Sequence, residues 1–283
     1  MIIIDFNGIA LSSIITQKLD IKEDLIRHVI LNTIRMYNKK FRDEYGQMVI
    51  ACDAGSWRRD YFPNYKFKRR ESREESTTMD WNEIFRIINS VRDDLKEHFP
   101  YKVVYVQKAE ADDIIGTLAF ESQEFGKHEP VMIVSADKDF IQLHRFTNVK
   151  QYSPMFKKFI TEKNPHTYLI EHIFKGDSGD GVPNVLSPDN AFSESIRQTP
   201  VTKKKIEAWI AGIDNIESVM DQETYRNYLR NKKLIDLSET PDLVKQEIIN
   251  SYNEQKLAHK SRVLNYLIKK RCKLLIDCVG DFY

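Results

Sequence analysis

The sequence predicts an α/β fold, a central and mainly parallel sheet flanked by helices, with a smaller helical C-terminal part. Two observations carry this. Four short β-branched apolar runs alternate with amphipathic helical patterns through the first half, and the pattern beyond residue 162 is almost wholly helical. The runs lie at residues 2–4, 48–52, 103–106 and 131–134, each bounded by charged or turn residues in the manner of buried strands. Between the first two, Leu25, Val29, Ile30, Ile34, Tyr37 and Phe41 recur at three- and four-residue spacing, which gives a helix one apolar face. A second helix begins at Asp80, paired with Glu83 in an Asp-x-x-Glu version of the capping box. It presents Ile84, Ile88, Val91 and Leu95 and stops before Pro100. A third starts near Ala111 and runs through Ile114, Ile115 and Leu118. Strand–helix alternation of this kind builds a parallel sheet covered on both faces. Residues 149–160 read as a β-hairpin with Pro154 near its turn. Helical segments follow at 168–174, 206–213, 225–235, 243–252 and 263–276. The expected organisation is therefore 1–162 and 163–283.

Composition removes several classes of function. The 283 residues are 41% hydrophobic and 30% charged, as in a folded soluble protein. No apolar run reaches the roughly 18 residues of a membrane span, and the opening MIII meets Asp5 at once, which predicts neither signal peptide nor anchor. Three cysteines without a CxxC pair predict no disulfide framework and suit a reducing cytoplasm. Ten glycines, with no GxxxxGK[ST] and no GxGxxG, exclude nucleotide folds built on glycine loops. The seven histidines are scattered and read as surface or capping residues. A net charge of +1 argues at first sight against nucleic acid, but it conceals a distribution.

Part of that distribution is a long connection. Residues 55–79 carry Arg58, Arg59, Lys66, Lys68, Arg69, Arg70 and Arg73 against four acids, with Trp57, Tyr61, Phe62, Tyr65 and Phe67 interleaved. Connections in α/β units usually take about 2–6 residues, and much longer ones tend to be functional or disordered.

The acids are distributed just as unevenly. Asp5 follows the first run and Asp53 the second; Glu110, Asp112 and Asp113 follow the third; Asp137 and Asp139 follow the fourth. The carboxyl ends of parallel strands form the ligand crevice of open α/β sheets. Any one such aspartate is ordinarily a turn former or helix N-cap, but four strand ends in succession point to convergence. Carboxylates brought that close cannot all stay ionised without a cation. Oxygen ligands lacking a His or Cys partner favour Mg²⁺ or Mn²⁺ over zinc. A further pair, Asp177 and Asp180, sits in a Gly/Asp/Pro turn.

Taken in order, IIIDF, VIACD, the EADD of 110–113, the SADKDF of 135–140 and GDSGDGVP resemble the phage and bacterial 5′-nuclease family that includes the flap endonucleases. WRRDYFPNYKFKR at 57–69, REES at 73–76, DFIQLH at 139–144 and NVKQYSPM at 148–155 are similar to its T-even phage ribonuclease H branch. The resemblance covers residues 1–185 and thins beyond. It implies a PIN-like 5′-nuclease fold and 5′→3′ cleavage in phage DNA replication, dependent on two Mg²⁺ ions for which Mn²⁺ can substitute. Removal of RNA primers and adjoining DNA and cutting of 5′ flaps belong to that activity. It implies Asp5, Asp53, Glu110, Asp112 and Asp113 around one ion, and Asp137, Asp139, Asp177 and Asp180 around the second, some through water. Lys66 and Arg69 resemble the bases that clamp the scissile phosphate, and residues 55–79 the arch past which a 5′ end runs. Arg58, Arg59, Tyr65, Lys68, Arg70, Lys203 and Lys204 complete the expected nucleic-acid contacts. The implied partners are DNA and RNA–DNA hybrids with free 5′ ends or flaps, with single-strand-binding protein and a sliding clamp. A monomer in the host cytoplasm, with no membrane association, is expected. The sequence departs from the pattern at 185–190, where the glycines of a duplex-gripping hairpin are missing, and at Gly181, which stands in place of an Asn. Two alternatives stay open: a PIN-type metal-dependent RNase, and a nucleic-acid-binding protein without catalysis. Setting the nine candidate carboxylates aside leaves the rest of the chain at +10, a basic protein around an acidic centre.

Overall fold

The computed structural model describes residues 1–16, 21–74 and 79–283. One six-stranded sheet has the order β3-β2-β1-β4-β5-β6. Its strands are β1 (Ile2–Asp5), β2 (Met48–Cys52), β3 (Lys102–Tyr105), β4 (Val131–Val134), β5 (Val149–Ser153) and β6 (Lys158–Ile160). The first five are parallel and β6 returns antiparallel to β5, so the expected hairpin exists and extends the same sheet. Ile4 pairs with Ile50 on one side and Val134 on the other, and Ala51 pairs with Val104. This register brings the carboxyl ends of β1 to β4 to a single edge.

In chain order the first helices are α1 (Phe6–Thr16), α2 (Glu23–Tyr45), α3 (Arg58–Tyr61), α4 (Phe67–Glu74), α5 (Trp81–His98) and α6 (Ala111–Glu121). Then come α7 (Pro165–Lys175), α8 (Lys203–Ala211), α9 (Ile216–Val219) and α10 (Gln222–Ile235). The chain closes with α11 (Asp242–Glu254), α12 (Ser261–Lys269) and α13 (Lys273–Ile276). Side chains alternate across a strand, and β1 feeds both layers: Ile2 and Ile4 join the core under α1, α2 and α5, while Ile3 joins the core under α6. Asp80 caps α5 by accepting from the Glu83 amide at 3.0 Å, whereas the Glu83 carboxylate pairs with Arg86 instead of closing the box.

Three elements differ from expectation. Helix α1 follows β1 without a loop; its apolar residues are not confined to one stripe, so periodicity gave no sign of it. The second half is helical as expected, yet its helices divide between places. Ile248 of α11 packs in the core under α6, and Val263, Tyr266, Leu267 and Leu275 of α12 and α13 pack in the core under α2 and α5. Buried Arg27 on α2 fastens that arrangement, pairing with Asp94 of α5 and lying 2.8 Å from the Tyr266 hydroxyl. Only the stretch from α7 to α10 builds a core of its own, around Leu169, Phe174, Trp209 and Leu234. Finally, the basic segment is not a free connection. Phe62 and Tyr65 are buried in that third core, and α3 and α4 make its base helical. Residues 75–78, with part of the REES motif, lie outside the described residues.

Candidate metal and nucleic-acid site

The acids meet where the strands end. Asp5 closes β1 and caps α1, accepting from the Gly8 amide at 2.9 Å and from the Ser135 hydroxyl at 3.1 Å. Asp53, one residue past β2, accepts from the Ala111 amide at the start of α6 at 2.7 Å, where the helix dipole favours negative charge. Asp112 receives no hydrogen bond from any described residue. Asp137 accepts from the Asp139 amide at 3.0 Å, which aims both carboxylates into the same space. Asp177 and Asp180 come in from the second half, Asp177 accepting from the Asp180 amide at 3.0 Å.

Crowding shows in the acidities. Burial first, and then the charge of Asp53, pushes Asp5 up to about 7. Burial and then Asp137 push Asp139 up to about 7, and the same two causes hold Asp112 well above the ordinary carboxylate range. Asp53 is raised as well, mainly by burial. Glu110 goes the other way: burial opposes its charge, but Lys66 and Arg58 outweigh it and lower its pKa.

A basic wall faces the acids. Lys66 Nζ lies 2.5 Å from Glu110 and 3.4 Å from Asp180, and Arg69 reaches Asp180 at 2.8 Å. Arg59, Arg70 and Arg73 line the same groove of about 310 Å³ with Lys66, Arg69, Asp53 and Glu110. The close approach needs Gly181: its φ is +72°, and a Cβ there would sit 3.0 Å from the Asn64 carbonyl oxygen. The Lys66 amide then bonds the Asp180 carbonyl at 2.7 Å and locks the base of the arch against the 176–182 turn. That geometry supplies a reason for glycine where an Asn was expected.

Three expectations change. Asp113 is fully buried and spends its carboxylate on Trp57 Nε1 (3.1 Å), the Thr240 hydroxyl (2.9 Å), the Glu110 amide (3.0 Å) and Arg58, so it braces α6 and has nothing left for an ion. Arg58 leaves the nucleic-acid set, being 2% exposed and bonded to Asp113, Glu110 and the Leu234 carbonyl. Tyr65 leaves it too: it is 2% exposed, with its hydroxyl 2.7 Å from Asp180 and 3.0 Å from Glu110, and cannot stack on a base. Lys203 and Lys204 are exposed on the first turn of α8, where Lys203 pairs with Glu207 at 3.7 Å, and they keep the solvent access that a phosphate contact needs. Arg59 and Lys68 are exposed on the arch as expected.

Sequence reasoning missed four contributors. Gly8 permits the Asp5 geometry, since a Cβ there would stand 2.3 Å from Asp5 Oδ2. Gly8→Ala is therefore expected to displace Asp5 and lower divalent-ion affinity by about tenfold or more, far beyond the mild effect of an alanine in a helix; calorimetric metal titration checks this. Ser135 bonds Asp5, and Gln151, fully buried on β5, holds the 135–137 loop through the Ser135 and Asp137 carbonyls (3.0 and 2.6 Å). A polar residue at an inward strand position was the available signal for Gln151. His172, expected to be incidental, sits in the last turn of α7 with Nδ1 3.4 Å from Asp139 and Nε2 3.3 Å from Asp177. Burial disfavours its cation, but these acids outweigh that and raise its pKa. The His172 hydrogen bond in turn overcomes burial and holds Asp177 at about 2.

The residues fit a divalent cation. Asp112 has no donor of its own among the described residues, burial and then neighbouring acids push Asp5 and Asp139 up to about 7, and the donors are predominantly hard oxygens.

Comparison with known proteins gives the family. Residues 1–171 match the family described as 5'-3' exonuclease, N-terminal resolvase-like domain, and residues 164–282 the family described as T4 RNase H, C terminal. The chain is 34% identical to the ribonuclease H of Enterobacteria phage T4, over 99% of this chain and 95% of that protein. It is 31% identical to the flap endonuclease Xni of Shewanella pealeana over 52% of this chain and 56% of that one. Solved structures share the fold. A T5 5'-exonuclease with divalent metal ions (zinc) bound aligns with a TM-score of 0.63 at 16% identity, over 90% of this chain and 98% of that one. A T5 D15 flap endonuclease in complex with DNA and metal ions aligns at 0.61 and 17%, over 99% and 98%. With both family matches end to end and a full-length relative above 30% identity, the chain belongs to the 5′-3′ exonuclease family of nucleases and carries the T4 ribonuclease H type of C-terminal region.

Proposed function

We propose that this nuclease hydrolyses phosphodiester bonds at the 5′ ends of RNA primers, nicked DNA and 5′ flaps during phage DNA replication, using two Mg²⁺ ions in the acid pit. The observation that carries the reading is the pairing of a carboxylate pit with a basic wall on one groove. Acids alone would repel a phosphate, and bases alone would bind it without cutting. Asp5, Asp53, Asp112, Glu110, Asp137 and Asp139 are the residues that would hold the ions, with Asp177 and Asp180 at the second position reaching it through water. Divalent ions bound there would supply a water deprotonated near neutral pH and stabilise the charge on the leaving 3′ oxygen.

The chain's own residues do the rest. Lys66 and Arg69, paired with Glu110 and Asp180 when no substrate is bound, turn to the scissile phosphate and stabilise its developing charge. Arg59, Arg70 and exposed Lys68 hold the flanking backbone, an interaction that weakens with salt. The rigid base formed by Tyr65, Arg58 and Asp113 keeps Lys66 aimed into the pit.

A 5′-labelled RNA–DNA primer on a template, incubated with Mg²⁺ or with EDTA, tests the reading. Short labelled products carrying a 3′-hydroxyl are expected with Mg²⁺ only, with a 5′-phosphate on the downstream strand. Binding without products in Mg²⁺ would leave a nucleic-acid-binding protein instead. Equal cutting of single-stranded RNA lacking any duplex would favour the PIN-type RNase.

A further inference from the structure

The acid pit contains one residue that does not belong to an all-oxygen metal centre. We propose that His172 is a metal ligand, making one ion position a mixed nitrogen–oxygen site, with Asp139, that takes Mn²⁺ or Co²⁺ in preference to Mg²⁺. The inference rests on the metal-dependent reading above and deepens it by assigning an ion preference to this chain.

The argument starts from placement. Ligand atoms of Asp139, His172 and Asp177 all lie within 4.8 Å of one another. Each carboxylate faces a different ring nitrogen, Asp139 on Nδ1 at 3.4 Å and Asp177 on Nε2 at 3.3 Å. Charge-assisted hydrogen bonds between such groups close to about 2.7–2.9 Å. The Nδ1–Asp139 separation of 3.4 Å is wider than that and leaves room for one ion to take both atoms as ligands. The imidazole is also held where it is. The Tyr168 ring packs edge-on against it at 6.1 Å, and Asp177 is fixed by the Asp180 amide and by reciprocal backbone bonds with Val182.

Chemistry decides which nitrogen binds. Asp139 lies beside Asp137 and Asp112 in the pit, so Nδ1 faces the ion. Nε2–H then donates to Asp177, the carboxylate–histidine–metal arrangement that fixes tautomer and ring orientation. A neutral imidazole nitrogen suits Mn²⁺, Co²⁺ or Zn²⁺, whereas Mg²⁺ prefers oxygen and keeps its waters. The competing role is an ion pair alone, in which His172 bridges two acids and never touches the metal.

Pulsed electron paramagnetic resonance of the full-length protein loaded with Mn²⁺ separates the two. The expected result is nitrogen-14 modulation on one bound Mn²⁺, replaced by the nitrogen-15 pattern when the protein carries [¹⁵N]histidine. In His172→Asn, with secondary structure verified by circular dichroism, the modulation should vanish and calorimetry should show Mn²⁺ affinity falling about tenfold or more at one position. Mg²⁺ affinity should change by less than about threefold. An all-oxygen signature in Mn²⁺-loaded wild type overturns the inference and leaves the nuclease reading intact. Modulation that persists in His172→Asn also overturns it, because another histidine would be responsible. Failure of the wild type to bind Mn²⁺ at all removes both this inference and the metal-dependent reading beneath it.

Discussion

Asp112→Asn is expected to lower Mg²⁺-dependent cleavage by about a thousandfold or more, equivalent to roughly 4 kcal/mol of transition-state stabilisation, while leaving the fold intact. The reasoning is local. Asp112 sits in the first turn of α6, receives no hydrogen bond from a described residue, and has its pKa raised by burial and by Asp137. A neutral amide of the same shape removes a negative charge that the metal-free protein tolerates poorly, so the melting temperature in EDTA should hold or rise. DNA affinity in Ca²⁺ or EDTA should also hold or tighten, since one repulsive charge facing phosphate is gone. On the proposed two-ion reading only the interaction with the ions is lost, and that interaction would carry the chemistry. Asp113→Asn, one residue along, should behave oppositely. Its carboxylate braces Arg58, Trp57 and Thr240, so its loss should appear first as a lower melting temperature. Cleavage by Asp112→Asn within tenfold of wild type at saturating Mg²⁺ would remove Asp112 from the metal centre.

That contrast shows how far the residues could be read without coordinates. The four parallel strands and their terminal acids were legible, because buried strands are continuous β-branched runs and a parallel sheet aligns their carboxyl ends. The division of labour among those acids was not legible. Asp112 and Asp113 are adjacent and chemically alike, and only the direction of the helix surface sends one toward the pit and the other into the core. Asp5 turned out to be both things that seemed to compete, a helix N-cap and a member of the pit. The basic segment misled for a related reason: a positive residue reads as a phosphate contact until its burial is known, and Arg58 is inside. His172 gave no signal at all, since its meaning depends on α7 packing beside the 135–145 loop, a contact set by the third dimension. Long-range placement of α11 to α13 on the sheet was hidden likewise, because an amphipathic helix announces that it has an apolar face but not which core receives it.

Arg58→Met is expected to destabilise the protein by about 3–5 kcal/mol, the usual consequence of stripping one partner from a buried ion pair. The guanidinium is 2% exposed, and it neutralises two carboxylates at once, Asp113 at 2.9 Å and Glu110 at 3.2 Å, while donating to the Leu234 carbonyl at 2.8 Å. Those bonds tie the base of the arch, the first turn of α6 and the end of α10 into one unit beneath the active groove. Methionine fills similar volume but leaves Asp113 without its counter-charge and Glu110 with Lys66 alone, so the loss is electrostatic and not a cavity. At the scale of a few degrees per kcal/mol for a chain of this size, the melting temperature should fall by about ten degrees. The double variant Arg58→Met with Asp113→Asn should recover part of it, because the neutral amide no longer needs a cation; additive losses would mean that the two groups are not coupled. Nucleic-acid binding supplies the second readout. Removing a surface cation that pairs with phosphate flattens the salt dependence of affinity by about one unit of slope. Arg58→Met, measured well below its melting temperature, should leave that slope unchanged, whereas Arg59→Met, on the exposed face of the same turn, should reduce it. A flattened slope in Arg58→Met would return this arginine to the nucleic-acid interface and remove its role as the internal brace that keeps Lys66 and the acid pit in register.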